Sequence, residues 1–157
     1  MIDVQGEQVS ASERFALREL IADWNRRLDR GDIDGLATLS DPDVRVTFDG
    51  ARFEGPDGLR EFVSLRRSTP EVARRTHVNH VQAWRRGERL TSRSLTLIVA
   101  LVPTPSDRGD GSPQPSWVGY AEDELVWRDG WRFAARSLSR WSGDVLERFP
   151  IAWQETA

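Results

Sequence analysis

The fold of this chain is decided by the stretch Leu28-Asp29-Arg30-Gly31-Asp32-Ile33-Asp34-Gly35-Leu36. Upstream of it, leucine, isoleucine and tryptophan recur every three or four residues, which predicts an amphipathic helix over residues 12–29. Gly31 suits the end of that helix, because glycine adopts the left-handed conformation of a helix C-cap without strain. Asp32 can cap a second, short helix through Leu39. The stretch therefore joins a long N-terminal helix to a short one.

Downstream of this stretch, apolar residues mostly alternate with polar ones, as in β-strands, instead of recurring at helical spacing. It predicts a short strand, a third helix and then four long strands, at residues 43–49, 57–67, 74–85, 89–102, 116–128 and 131–142. A segment rich in Pro, Gly, Ser and Asp, 103–115, is predicted to be a long hairpin loop. Helices followed by antiparallel strands are typical of an α+β fold. A strongly curved antiparallel sheet wrapped around the long N-terminal helix would leave an internal pocket at one end.

Length and composition narrow the class of protein. A chain of 157 residues is expected to form a single domain, 1–157. Its 22 basic residues are all arginine and are interspersed with 25 acidic residues, a distribution that argues against a nucleic-acid partner. No apolar run approaches the ~20 residues that span a bilayer, so no membrane partner is expected. The N-terminus lacks the features of a signal peptide, which predicts a cytoplasmic protein.

Four segments, taken in order, resemble the nuclear transport factor 2-like superfamily, and most closely its SnoaL-like and scytalone dehydratase-like branch. They are the stretch quoted above, Leu39-Ser40-Asp41-Pro42-Asp43-Val44, Phe53-Glu54-Gly55-Pro56-Asp57-Gly58-Leu59 and Asp129-Gly130-Trp131-Arg132-Phe133. The resemblance covers about residues 12–142. It implies a cone-shaped fold, in which a curved antiparallel sheet surrounds a pocket and helices close the mouth.

The resemblance also implies a catalytic pair. In dehydratases of this branch, a buried Asp at the end of the first helix and a His on the strand after the third helix move the proton; here these would be Asp29 and His77. Relatives often carry a tyrosine in the first helix, where this chain has Trp24. The apolar run Leu97-Ile98-Val99 stands where some relatives place a carboxylate.

The residues themselves support this chemistry but leave alternatives open. Asp and His are the side chains most often used for proton transfer near neutral pH. Asp29 could equally be an exposed acid at a helix C-terminus. His77 and His80 cannot both face the pocket on a regular strand, because side chains alternate, although a bulge would change that parity. We expect His77 to face inward. Two histidines at this spacing make a poor metal site, so no metal is expected.

Further candidate residues lie on the predicted strands and the first helix. Tyr120 would polarise a substrate carbonyl as an oxyanion-hole donor, with packing as the alternative. Asn79 could donate to a substrate oxygen or satisfy a strand edge. Trp24 and Trp117 are candidates for an aromatic wall of the pocket. Arg136 could bind an anionic group or pair with an acid on the surface.

Together these features predict a lyase or isomerase of secondary metabolism that acts on a cyclic, carbonyl-bearing small molecule without a cofactor. His77 would remove a proton α to the carbonyl, and Asp29 would orient and charge-balance it. Dehydration, isomerisation and cyclisation share that step. The alternative is a non-catalytic ligand-binding or accessory subunit like dioxygenase β subunits; a weaker one is an epoxide hydrolase or cyclase. Apolar residues near the C-terminus, Phe149, Ile151 and Trp153, fit a homodimer contact.

Overall fold

A computed structural model describes residues 7–67, 73–103 and 111–141. The elements follow in the order β1 (Glu7–Gln8), α1 (Ala11–Arg30), α2 (Ile33–Thr38), β2 (Ser40–Phe48), β3 (Ala51–Glu54), α3 (Gly55–Arg67), β4 (Ala73–Arg86), β5 (Arg89–Pro103), β6 (Gly111–Trp127) and β7 (Trp131–Arg140). In this part of the chain no helix is both long and apolar enough to cross a membrane.

All strands of the described chain belong to one curled sheet in the order β1-β4-β5-β6-β7-β2-β3. Neighbouring strands are antiparallel except for β2 and β7, which are parallel. The predicted α+β fold, with a curved and mostly antiparallel sheet around a long helix, is confirmed.

The predicted hairpin between β5 and β6 extends further than the composition indicated. Gly111 pairs with Pro103, and Pro115 pairs with Val99, so strand pairing continues into both ends of the predicted loop. Residues 104–110, between these strands, lie outside the described residues. So do the C-terminal residues that were expected to form a dimer contact.

Helix α1 begins and ends as its sequence predicts. Ser10 and Glu13 form a reciprocal capping box, in which the Glu13 N–H donates to Ser10 Oγ at 3.2 Å and the Ser10 N–H donates to Glu13 Oε2 at 3.1 Å. At the other end Gly31 adopts φ 67°, and its N–H donates to the Leu28 carbonyl at 3.0 Å. Asp32 then caps α2 by accepting from the Gly35 N–H at 2.9 Å.

The core lies between α1 and one face of the sheet, which we call the inner face. Buried side chains on α1 pack with Val44 and Val46 of β2 and with Leu90, Leu125 and Phe133 of the later strands. The ring of Trp24 contacts Phe133, with 4.8 Å between centroids. Helix α1 therefore fills the hollow of the curved sheet, and the inner-face residues beside it line the interior of the cone.

A β-bulge in β4 changes which residues face inward. The pairing of β4 with β5 shifts register between Asn79 and Gln82, and His80 within the bulge has φ 51°. Val78 and Val81, three residues apart, both pack against the core as a result. The alternation of side chains therefore restarts at the bulge, a possibility that the sequence left open.

Candidate functional site

Asp29, predicted to be a buried acid at the end of the first helix, is well covered and fully engaged. Its side chain is 7% exposed. Oδ2 accepts from the Thr76 backbone N–H at 2.8 Å, and Oδ1 accepts from the Thr76 hydroxyl at 2.8 Å. Oδ1 also lies 3.3 Å from a terminal nitrogen of Arg66, which forms an ion pair with it. Asp29 thus ties the end of α1 to β4 and to the end of α3.

His77 does not reach Asp29. It follows Thr76 on β4, and because successive strand residues point to opposite faces, its side chain lies on the side away from Asp29. His77 is exposed, and within the described chain Asp29 and His77 form neither a hydrogen bond nor an ion pair. The bulge does not bring its neighbours inward either, since Asn79 and His80 are also exposed. The structure therefore does not assemble the expected Asp–His pair.

Tyr120 also lies away from the interior. On β6, Trp117, Ala121 and Asp123 are buried on the inner face, and Tyr120 alternates with them. Tyr120 is half-buried, and the Arg93 guanidinium stacks over its ring at 4.8 Å. That placement differs from the expected position in the pocket, because Trp117 and Tyr120 are three residues apart and cannot face the same way on a regular strand.

A buried ion pair occupies the inner face where β6 and β7 meet. Asp123 and Arg136 are directly opposite each other in the sheet, and both side chains are 0% exposed. Arg136 Nε lies 3.6 Å from Asp123 Oδ1, which is close enough for an ion pair but too long for a good hydrogen bond. Asp123 Oδ2 accepts from the Ser92 hydroxyl at 3.3 Å. Arg136 was a predicted binding residue; Asp123 was not singled out.

Several buried polar atoms around this pair lack partners. Among residues 7–67, 73–103 and 111–141, hydrogen-bond partners are missing for Trp24 Nε1, Asn25 Nδ2, one terminal nitrogen of Arg66, Ser94 Oγ, Thr96 Oγ1, Asp123 Oδ1 and all three guanidinium nitrogens of Arg136. Buried polar groups in native proteins are nearly always satisfied by protein, water or ligand. These atoms mark a polar region inside the fold.

Burial shifts the pKa values of the central pair. Removal from water raises the pKa of Asp123, and the nearby Arg136 cation partly opposes that rise. Burial also lowers the pKa of Arg136, although a guanidinium stays protonated in proteins.

Aromatic rings flank the guanidinium of Arg136. It lies 5.7 Å from the centroid of Trp24 and 5.4 Å from that of Phe133. Trp117 is buried further along the inner face, where it stacks on Phe48 and donates from Nε1 to Asp49 at 3.1 Å. Trp24 and Trp117 are thus both buried, and their role as an aromatic wall of a pocket stays a prediction.

A groove lies between α1 and β4. Its volume is about 470 Å³, and Asn25, Asp29 and Thr76 are among its lining residues. Asn25 belongs both to the groove and to the group of buried, unpartnered atoms. In the described part of the chain, no group of three or more acidic or histidine side chains could hold a metal ion.

Comparison with known proteins agrees with this architecture. The family model described as "SnoaL-like domain" matches residues 9–137. The chain belongs to the SnoaL-like family. No curated protein matches the sequence significantly.

Solved structures extend the similarity to the whole fold. An NTF2-like protein with a cystatin-like fold from Novosphingobium aromaticivorans is 20% identical, with a TM-score of 0.74 over 87% of each chain. ActVI-ORFA from Streptomyces coelicolor is 16% identical (TM-score 0.71; 82% of this chain, 97% of that one). A putative scytalone dehydratase from N. aromaticivorans is 19% identical (TM-score 0.67; 83% and 85%). At these identities the likeness establishes the fold alone.

The residues that sequence reasoning missed share one signal. Inner positions of β5 carry Ser92, Ser94 and Thr96, all buried, whereas the adjoining outer positions include Leu95 and Leu97. A central strand whose buried positions are hydroxyl residues is polar on the side that normally forms the core. This inverted alternation, together with the shared parity of Trp117 and Asp123, could have indicated a polar interior from the sequence.

Proposed function

We propose that this SnoaL-like protein is a cofactor-independent acid–base enzyme, a dehydratase, isomerase or cyclase of secondary metabolism, that acts on a cyclic, carbonyl-bearing small molecule. The observation that carries the proposal is the fully buried Asp123–Arg136 pair, in which Asp123 Oδ1 and the whole Arg136 guanidinium lack hydrogen-bond partners within the described residues. In this proposal Asp123 takes the place of the expected Asp29–His77 pair.

The proposed chemistry divides between the two side chains. Asp123 Oδ1 accepts the proton from the carbon next to the carbonyl, and the electron pair of the broken C–H bond moves onto the carbonyl oxygen. Arg136 donates hydrogen bonds to that developing oxyanion, and such stabilisation is strong because both groups are excluded from water. The carboxylic acid then returns its proton to a departing hydroxyl or to another carbon.

Asp29 has a positioning role in this proposal. It fixes Arg66 at the end of α3 and Thr76 on β4, and so holds two walls of the interior in place. Since Asp29 Oδ1 and Oδ2 already accept hydrogen bonds from Thr76, no step of the reaction is assigned to it. The exposed His77 is likewise given no part in proton transfer.

A non-catalytic ligand-binding role is the second candidate, and the placement of His77 favours it, because the mechanism first expected for this family is not assembled. The epoxide hydrolase alternative needs one arginine between two interior carboxylates. The interior pairs found here, Asp123–Arg136 and Asp29–Arg66, use two different arginines.

Proton exchange distinguishes the enzyme from the binding protein. The rate of deuterium incorporation next to the carbonyl of a panel of tetralones and related cyclic ketones is measured by NMR in heavy water. We expect the wild-type protein to catalyse exchange, and Asp123→Asn to lose about 100-fold or more of that rate, the contribution typical of a general base.

Asp41→Asn is the matched control for this assay. Asp41 is also a covered aspartate in an Arg pair, with 2.9 Å to Arg128 Nε, but that arginine is 62% exposed and lies outside the interior cluster. Its variant should exchange at the wild-type rate. Exchange that persists in folded Asp123→Asn would contradict the role of Asp123. Absence of exchange in the wild type across the panel would favour the ligand-binding alternative.

A further inference from the structure

We infer that the groove between α1 and β4 is a binding site for a slender organic carboxylate whose apolar body carries a carbonyl or hydroxyl oxygen. Arg18 pairs with the carboxylate, and Asn25 donates a hydrogen bond to the oxygen on the body. The inference does not depend on the proposed function, because neither Asp123 nor Arg136 lines the groove.

The first argument is the open space itself. Helix α1 is held against β4 near both of its ends, where Glu13 forms an ion pair with Arg85 and Asp29 accepts hydrogen bonds from Thr76. The residues that line the groove lie mostly between these two contacts, and they enclose about 470 Å³. That volume falls within the range of about 300–1,000 Å³ that is usual for small-molecule sites.

The second argument is the bulge in the strand that forms one wall. Val78 and Val81 both line the groove, although side chains three residues apart on a regular strand point to opposite faces. The register shift between them, with His80 at φ 51°, brings both inward. A non-glycine residue in this left-handed region is strained, and such strain clusters at ligand sites. The strained turn thus gives the groove two apolar contacts on one wall.

The third argument is charge. The groove is lined by one carboxylate and four arginines: Asp29, Arg18, Arg26, Arg30 and Arg75. Asp29 is already paired with Arg66, and Arg26 with Asp23. Within the described residues, the Arg18 side chain forms neither an ion pair nor a hydrogen bond. A concave surface with an excess of one charge concentrates ligands of the opposite charge, so an anion is the expected partner of Arg18.

Asn25 supplies a second polar contact in the same groove. It is only 4% exposed, and its Nδ2 has no hydrogen-bond partner among the described residues. Buried polar groups are nearly always satisfied by protein, water or ligand. Because the NH₂ group gives up no hydrogen bond by turning, a rotation of the carboxamide toward the groove lets it donate to a ligand oxygen.

The spacing along α1 sets the shape of the ligand. Arg18, Ala22 and Asn25 share one face of the helix, because they are four and then three residues apart. At a rise of about 1.5 Å per residue, Arg18 and Asn25 are separated by about 10 Å along the axis. The lining between them is apolar, from Ile21 and the small Ala22. The carboxylate and the second oxygen of the ligand are therefore separated by an apolar stretch of several bonds.

The test compares three ligands of one chain length, octanoate, octanamide and 7-oxooctanoate, by isothermal titration calorimetry at low ionic strength. We expect the wild type to bind octanoate about fivefold more tightly than octanamide, the gain of one exposed ion pair. It should bind 7-oxooctanoate about two- to tenfold more tightly than octanoate, the gain of one hydrogen bond. Arg18→Gln should remove the first preference and keep the second, whereas Asn25→Leu should do the reverse.

Arg52→Gln is the matched control for charge. Arg52 is exposed on β3, at the opposite edge of the sheet from β4, so its variant should keep both preferences. Asn25→Leu should fold, because it replaces an amide with an unpartnered nitrogen by an apolar side chain of similar size. If it does not fold, the wild type still gives an answer: the Asn25 side-chain NH₂ resonances should shift more with 7-oxooctanoate than with octanoate, and equal shifts would contradict its role.

Each outcome decides the matter. Binding of none of the three ligands, equal affinities for acid and amide, or a preference for the acid that survives Arg18→Gln would overturn the inference. A gain from the carbonyl that survives Asn25→Leu would overturn the role of Asn25. Folded Asp123→Asn should bind all three ligands as the wild type does, and a loss there would move the ligand out of the groove. If ketone exchange fails while these preferences hold, the proposed function alone fails.

Discussion

Removal of one partner of the Asp123–Arg136 pair should be far more damaging than removal of both. In Asp123→Leu the Arg136 cation stays buried, with 0% of its side chain exposed and no carboxylate beside it. Breaking a buried pair in this way costs about 3–5 kcal/mol of unfolding free energy. Replacement of both partners by apolar residues of similar size, Asp123→Leu with Arg136→Met, is typically neutral or stabilising.

The double variant should therefore recover nearly all of the loss in the single variant. The free energy of unfolding of the wild type and of each variant is measured by urea denaturation, with the slope of the transition checked for two-state behaviour. If the double variant loses little free energy of unfolding, stability does not explain why the pair is in the interior. A role in ligand chemistry then explains it better.

A second Asp–Arg pair provides the control. Asp41→Leu leaves Arg128 in contact with water, because that guanidinium is 62% exposed, so the matching double variant should show little rescue. The reasoning would be refuted if Asp123→Leu cost less than about 1 kcal/mol, or if the double variant were no more stable than the single one, since a desolvated pair must show this asymmetry.

Three further predictions follow from the contacts of single residues. Asp29→Asn replaces a carboxylate that accepts two hydrogen bonds from Thr76, and it should lower the unfolding free energy by about 1–3 kcal/mol in a urea titration; an unchanged midpoint would contradict the anchoring role. Arg128 holds the pKa of Asp41 below its usual range, so the stability that Asp41 supplies is present above pH ~4 and lost as the pH falls through the lowered value. Melting temperatures of the wild type and Asp41→Asn should therefore converge in acid, and a constant gap would count against this linkage. His77→Ala should leave ketone exchange and melting temperature unchanged, because His77 is exposed; a large fall in exchange would return the histidine to the mechanism.

The order of the helices and strands could be predicted because the local sequence signals for each element agreed with one another. Gly31 and Asp32 end one helix and begin the next through backbone geometry that few other residues provide. The bulge at His80 could not be predicted, because a residue with φ 51° in a strand is imposed by the curvature of the sheet and has no strong local signature there. With that bulge, the inward or outward direction of the β4 residues could not be assigned from alternation alone.

The site was harder to predict than the fold. Asp123 went unrecognised because acidic residues are rarely buried, and an acid in a strand is ordinarily assigned to the solvent face. Alternation nevertheless gives Asp123 the same parity as Trp117, which is buried, whereas Tyr120 has the opposite parity. The resemblance implied that Asp29 is buried, but its partners are Thr76 and Arg66, whose approach depends on the packing of α3 and β4 against α1.

The most direct test of the proposed function is the rate of deuterium exchange into cyclic ketones, measured for the wild type and for Asp123→Asn. The account predicts exchange by the wild type and a rate about 100-fold or more lower in the folded variant. Exchange that persists in folded Asp123→Asn would contradict the central claim that the buried pair is the site.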